Sequence, residues 1–481
     1  MIQNLEPTAV WKNFSLLNEV PRASKKERQV IDFIKSFGTT LNLAVYEDEV
    51  GNVIIKKPAT IGMENKPTVC LQSHLDMVHQ KNNDTIFDFA TQGIDMYIDA
   101  DWVKAKGTTL GADNGMGVAA IMTILASTDI VHPAIEALFT IDEETGMTGA
   151  LALKGGLLDA KYMLNLDTEE DNELTIGCAG GIDVTGVGTY VSSKPNENTK
   201  AYKIYLKGLS GGHSGIEIHK GLANANKLMN RFLWNAAKQI GFQIASITGG
   251  SLRNAIPRES VVVVFVIETE AEKFEKFIAE YEIIFKTEYQ FTDPKLNFTT
   301  EKTECNSGVL DATTQQHLLN CIYTLPNGIY RMDSNIAGLV QTSNNLAKVT
   351  LGEGTYSIQC LTRGSVNSEK IDLANVIESC FNLIKAETKF GGSYPGWAPQ
   401  PNNEIVKLMV AKYKALFADE PLVNACHAGL ECGILGTNYP TMQMISFGPT
   451  IHGAHSPDEK VSIRSVQKFW KYLLEVLKDI N

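Results

Sequence analysis

Five short segments, scattered along a chain of 481 residues, carry side chains of the types that hold divalent cations. They are His74-Leu75-Asp76, Gly111-Ala112-Asp113-Asn114-Gly115, Glu143-Glu144, Asp167, and a late Gly/Pro-rich run over 448–459 that contains His452 and His455. Together they offer imidazoles, ligand-type carboxylates and a spare glutamate. A pair of cations with an activated water requires that set.

Each segment has an ordinary reading beside the chemical one. His74 and Asp76 lie two apart, so on a strand they point to the same side. There Asp76 accepts from the second ring nitrogen of a ligating His74, or holds a neighbouring group. Asp113, among glycines at a loop-to-helix junction, is placed to bridge two cations, but taken alone it reads as a helix N-cap. Glu143 and Glu144 are adjacent carboxylates after an apolar strand; they repel unless a cation or a proton compensates, or they form a solvated turn. Asp167 ends a strand, and the acidic run 169–171 beyond it reads as solvated surface. Spacing does not choose between His452 and His455.

The elements that must position these residues follow from periodicity. Helices are expected over 9–17, 25–37 and 114–125, and buried strands over 68–73, 134–141 and 162–166, with the polar residues at strand ends. Residue 45 and residues 52–55 alternate as a hairpin does. Open α/β sheets present active sites in this way. The composition changes near residue 186. The expected elements then run strand 202–206, helix 222–237, strand 260–267 and helix 271–285, and after them strands 347–351 and 356–361 and helix 369–385, in the manner of an α+β module with an internal duplication. A Gly/Pro-rich crossing over 391–399 precedes helix 405–417, strand 442–446 and helix 463–480. A ligand near the C-terminus must return to a site built before residue 170, so the middle module is an insertion. The expected domains are 1–186 and 397–481 as two parts of one α/β domain, a central mixed sheet flanked by helices, and 187–396 as the inserted α+β domain.

Size and charge set limits on function. The chain is too long for one core. A net charge of −12 argues against nucleic acid as a partner. The longest purely apolar runs, such as 261–267, are strand length, which argues against a membrane span. The N-terminus lacks a signal-peptide pattern, and the eight cysteines form no C-x-x-C pair, so they read as thiols in a reducing cytoplasm.

The H-x-D segment, the G-A-D-N-G loop, the Glu-Glu pair, the later Asp and the H-S-P-D-E loop at 455–459 resemble the M20 metallopeptidases, and more narrowly their aminoacyl-histidine dipeptidases. Gly177-Cys178-Ala179-Gly180-Gly181, Gly211-Gly212-His213-Ser214-Gly215, Leu252-Arg253-Asn254-Ala255-Ile256-Pro257, Tyr394-Pro395-Gly396-Trp397 and His427-Ala428-Gly429-Leu430-Glu431-Cys432-Gly433 extend the resemblance over essentially the full chain. The resemblance implies His74, Asp113 and Asp167 as ligands of one cation and Asp113, Glu144 and His455 as ligands of the other. It implies Glu143 as general base and Asp76 as the partner of His74. His213, on an inserted lid domain, would help bind the oxyanion, and Asn254, Arg363 and the Gly429 backbone would hold the substrate. It further implies two divalent cations per chain, zinc first with manganese or cobalt as alternatives, and a homodimer through the lid domain. The expected reaction is hydrolysis of dipeptides, especially Xaa-His including β-alanyl-histidine. A broader di- or tripeptidase, or an N-acyl amino acid deacylase, uses the same scaffold; a catalytically inert metal-binding protein would have no need of Glu143.

Overall fold

The computed structural model describes residues 1–480. The chain divides into two compact units. The first comprises Met1–Gly177, Trp397–Ala425 and the chain from Leu430 onward; the second comprises Cys178–Gly396 and the short piece Cys426–Gly429. The composition change near residue 186 falls inside the strand Gly180–Thr189, which belongs to the sheet of the second unit, so the boundary lies earlier, at Gly177–Cys178.

An eight-stranded mixed sheet runs through the first unit. Its centre is a parallel set: Ile135–Thr140, Val69–His74, Tyr162–Asn165 and Gln443–Ser446 lie side by side. The first three are buried along their whole length, which suits apolar strands covered on both faces. Parallel pairing puts the C-terminal ends of these strands at one edge, with His74 opposite Thr140. Glu143 and Asp167 follow within three residues of two of those ends. The last strand of the set is supplied from beyond residue 440, which returns the C-terminal segment to this edge.

The helix Ala112–Ala126 has nearly every side chain buried and no polar face, as its Ala, Ile and Met content dictates. Long helices at Thr8–Asn18, Arg28–Thr40, Glu404–Phe417 and Ile463–Asp479 agree with the helical periodicity. A small antiparallel sheet, Met96–Asp99, Trp102–Ala105, Lys460–Ser462 and Ile451–His452, anchors the late histidine run.

The second unit is built on a nine-stranded sheet with the helices Ala225–Ala236, Ala271–Glu288, Ala312–Thr324 and Asn367–Leu383. One large apolar core, which includes Phe232, Phe274, Phe285, Phe298 and Phe381, lies among these elements. Asn224 caps the first of these helices by accepting from the backbone N–H groups of Asn226 and Lys227. The expected Gly/Pro crossing is in part a strand, Glu387–Tyr394, paired with Gly180–Thr189. Both strands are glycine-rich, which hid them from pattern reading. No described helix is long and apolar enough to cross a membrane.

Gly117 shows how tightly the site edge is packed. A Cβ there would fall 2.7 Å from the Leu166 carbonyl oxygen and overlap Ser73 Oγ, at the ends of two of the parallel strands. Gly117→Ala is therefore expected to cost about 1–3 kcal/mol of stability. Urea denaturation would read this as a lower midpoint at unchanged slope, and an unchanged midpoint would contradict the packing described.

Candidate metal centre

Asp113 stands between two imidazoles. His74 Nε2 lies 3.2 Å from Asp113 Oδ1, and His455 Nε2 lies 3.2 Å from Asp113 Oδ2. Asp167 Oδ1 is 3.5 Å from His74 Nε2, and Glu144 Oε2 is 2.9 Å from His455 Nε2. One carboxylate thus faces two half-sites, His74 with Asp167 on one side and His455 with Glu144 on the other. Ligand atoms of His74, Asp113 and Glu144 all lie within 4.8 Å of one another.

The local chain explains the convergence. Gly111, with φ of 70°, provides the left-handed turn into the helix, and Asp113 itself has a non-helical ψ of 114°. Asp113 therefore makes no cap, and its carboxylate is left to the histidines. Asp142 and Met147 flank the Glu143–Gly146 turn with φ of 52° and 50°. His455 adopts φ of 64°. Such backbone costs on the order of 1–3 kcal/mol at a non-glycine residue and persists where the surroundings impose it, often at functional sites.

Asp76 lies beside the His74 ring and holds the neighbouring turn. His74 Nδ1 is 3.1 Å from the Asp76 backbone oxygen and 3.4 Å from its carboxylate. The same carboxylate accepts from Glu143 N at 3.0 Å, Glu144 N at 3.3 Å and Ser24 Oγ at 2.8 Å. It therefore fixes the His74 ring and the Glu143–Glu144 turn together. Glu27 and Asp142 crowd the far side of Asp76, with neighbouring donors of their own.

The donor set fits cations on two independent grounds. Glu144 Oε1 is buried with no hydrogen-bond partner. Burial, reinforced by neighbouring carboxylates, raises the Glu143 carboxyl well above its usual range and pushes Asp167 up to about 6. A crowd of carboxylates at the ends of buried strands is the surrounding that a cation relieves. Hydrogen bonds to Asp113 and Glu144 push His455 up to about 11, and carboxylates led by Asp167 raise His74 against the opposing effect of burial.

His452 lies elsewhere: it packs on Trp102 with ring centroids 5.0 Å apart and faces Glu170. His79 stacks on Phe89. Asp171 pairs with Lys468 on the acidic run beyond Asp167. Four contributors escaped pattern reading. Asn114 donates to the Leu166 carbonyl and to Asp167. Glu431 is fully buried and accepts from Gln72 and Thr140. Arg22 and Glu459 are buried and grip the Gly111 loop. Glu459 and Glu431 stood inside recognised motifs; Arg22 gave no signal, because a lone arginine between helices looks like surface.

His213, Asn254, Arg363 and Gly429 belong to the second unit. His213 Nδ1 accepts from the backbone N–H groups of Gly215 and Ile216, which leaves the proton on Nε2. Burial, with the nearby Arg363, holds this imidazole down to about 4, so it is neutral at pH 7. Arg363 is 4% exposed; it donates to Tyr394 OH at 3.0 Å, and its Nε is buried with no hydrogen-bond partner. Asn254 is exposed, on a turn held by Ser214 N donating to its carbonyl at 2.8 Å. Gly429 is part of the piece Cys426–Gly429, of which the Cys426 and Ala428 carbonyls accept from Ala179 N.

The model of peptidase family M20/M25/M40 matches residues 70–479. The chain belongs to that family. It is 41% identical over 479 residues to the cytosol non-specific dipeptidase of Escherichia coli, covering 100% of this chain and 99% of the relative. Among solved structures, the aminoacylhistidine dipeptidase from Vibrio alginolyticus superposes with a TM-score of 0.94 at 41% identity, covering 100% of this chain and 98% of the other. An aminopeptidase from Bacillus cereus shares the fold, at a TM-score of 0.58 and 15% identity over 99% of each chain. The mixed α/β architecture read from the sequence is that of this peptidase family.

The raised imidazoles predict a pH dependence for cation uptake at these residues. A histidine ligates only as the neutral ring, and His455 at about 11 carries its proton at pH 7. Binding must therefore displace protons, and affinity falls as pH falls, further so below about 6, where Asp167 is also protonated. Calorimetric titration of metal-stripped protein at pH 7, in buffers of different ionisation enthalpy, should give an apparent enthalpy that varies with the buffer in the sense of proton release. A slope of zero would contradict the charge state described.

Proposed function

We propose that this chain is a metal-dependent dipeptidase that cleaves the peptide bond of Xaa-His dipeptides, β-alanyl-histidine among them. The observation that carries the reading is the Asp113 carboxylate between His74 and His455, with Glu143 on the adjoining turn, in a chain whose 41% identity to a named dipeptidase extends over its full length. His74, Asp113 and Asp167 would hold one cation, and Asp113, Glu144 and His455 the other. Imidazole and carboxylate donors suit zinc, with manganese and cobalt as alternatives. Such cations, when bound, supply the Lewis acidity that polarises the peptide carbonyl and acidifies water.

The remaining chemistry is assigned to the chain's own residues. Glu143, whose carboxyl burial already raises toward a higher affinity for protons, takes a proton from the attacking water and returns it to the leaving amine. Asp76 holds the Glu143 and Glu144 backbone in place and orients His74. In the second unit, read as the lid domain, Arg363 meets the substrate carboxylate with its unpartnered Nε. The neutral His213 ring donates from Nε2 to the developing oxyanion, while Asn254 and the Gly429 backbone hold the peptide. A homodimer through the lid domain and a place in the cytosol complete the proposal; the name of the Escherichia coli relative supports the latter. That name also favours a second reading on the same site, a dipeptidase of broad side-chain tolerance.

Glu143→Ala is expected to keep its metal content and lose about 10²–10⁴-fold in kcat. Wild-type turnover in that variant would remove Glu143 from the mechanism. Substrate class is tested by offering β-alanyl-histidine, α-dipeptides, a tripeptide and an N-acetyl amino acid, with and without chelator. Chelator-sensitive cleavage confined to dipeptides, with Xaa-His preferred, is the expected result. An even rate across α-dipeptides would establish the broad reading, and turnover of the acetylated substrate alone would make the chain a deacylase.

A further inference from the structure

Glu459 is 2% exposed and lies four residues after His455. Its carboxylate accepts from four consecutive backbone N–H groups: Leu110 at 2.7 Å and Gly111 at 2.9 Å on Oε2, Ala112 at 2.7 Å and Asp113 at 3.2 Å on Oε1. These are the groups that a left-handed Gly111 leaves unclaimed at the start of the helix Ala112–Ala126, where no side-chain cap is present. The Glu459 end of the contact is equally constrained. Ser456 N donates to the Gly453 carbonyl and Glu459 N to the Ser456 carbonyl, so two successive turns that share Ser456 link Glu459 to the turn that carries His455. Moving Glu459 moves His455.

His74 is held by other means. Its strand pairs with Ile135–Thr140, Leu75 N donates to the Thr140 carbonyl at 2.8 Å, and Arg22 donates to the Leu75 and Asp76 carbonyls at 3.1 and 3.3 Å. Arg22 also donates to the Gly111 carbonyl, on the strand side of the loop that Glu459 grips by its N–H groups.

We propose that Glu459 is a positioning residue that sets the separation of Asp113 and His455, so that the half-site of His455 and Glu144, tied to it through both His455 and Asp113, depends on it more than the half-site of His74 and Asp167, tied to it through Asp113 alone. The inference rests on the metal-centre reading above and deepens it. A carboxylate is needed, since both its oxygens accept two N–H groups each. A glutamine keeps one acceptor oxygen and turns an NH₂ donor toward the other two N–H groups.

The test is titration of Mn²⁺ into the metal-stripped full chain, followed by electron paramagnetic resonance. The wild type should take up two ions and give an exchange-coupled spectrum. Glu459→Gln should bind its second ion about 10–100-fold more weakly, the usual effect of losing a residue that orients a ligand, and its first ion with a clearly smaller loss. At one equivalent its spectrum should be that of isolated Mn²⁺. In a His455→Ala background, adding Glu459→Gln should change nothing further. If Glu459→Gln does not fold, Glu459→Asp, which keeps both acceptors on a shorter stem, is read in the same way. Two ions bound with wild-type affinities, or equal weakening of both ions in a protein that still melts cooperatively, would overturn the proposal. Failure of the wild type to take up a pair would instead overturn the metal-centre reading, and this inference with it.

Discussion

One carboxylate shared by two imidazoles is the constraint on which the first unit depends. Asp113 offers an oxygen to His74 and an oxygen to His455, residues at opposite ends of the chain. A carboxylate oxygen and an imidazole nitrogen meet only if both backbones are held within a few tenths of an ångström. The structure achieves this with buried polar contacts of high cost if broken: Arg22 on the carbonyls, Glu459 on the N–H groups, Asp76 under the Glu143–Glu144 turn. Each ties two of the converging segments together.

Topology does the rest. Parallel strands place their C-terminal ends together, so a His, a Glu pair and an Asp that are far apart in sequence reach one edge. The strand Gln443–Ser446 adds in parallel beside Tyr162–Asn165 and brings the final histidine loop to that edge. The intervening 219 residues of Cys178–Gly396 fold on a sheet of their own. Positive φ at His455, Asp142 and Met147 marks where the chain gives up local comfort to aim side chains. Crowded carboxylates and raised imidazoles mark the electrostatic counterpart of the same compromise.

Much of this was legible in the sequence. Apolar runs ending in His74, Glu143 and Asp167 announced buried strands with polar ends, and 3.6-residue periodicity located the long helices within a few residues. Three kinds of feature were not. Asp113 carried the signature of a helix cap, and only the left-handed Gly111 with the four N–H bonds to Glu459 shows why it is released from that duty. Glycine-rich strands such as Gly180–Thr189 lack the β-branched alternation that pattern reading needs, so the first boundary was read nine residues late. Arg22 works through backbone carbonyls, whose positions no side-chain pattern encodes. The choice of His455 over His452 needed family resemblance at the sequence level, and the fold expresses it as one ring on Asp113 and the other on Trp102.

Asp113 is proposed to lie between two cations. Anomalous diffraction from crystals grown with zinc tests it most directly. Two peaks are expected, one on each side of the Asp113 carboxylate, the first contacted by His74 and Asp167 and the second by Glu144 and His455. A single peak, or a pair with Asp113 touching neither, would contradict the account.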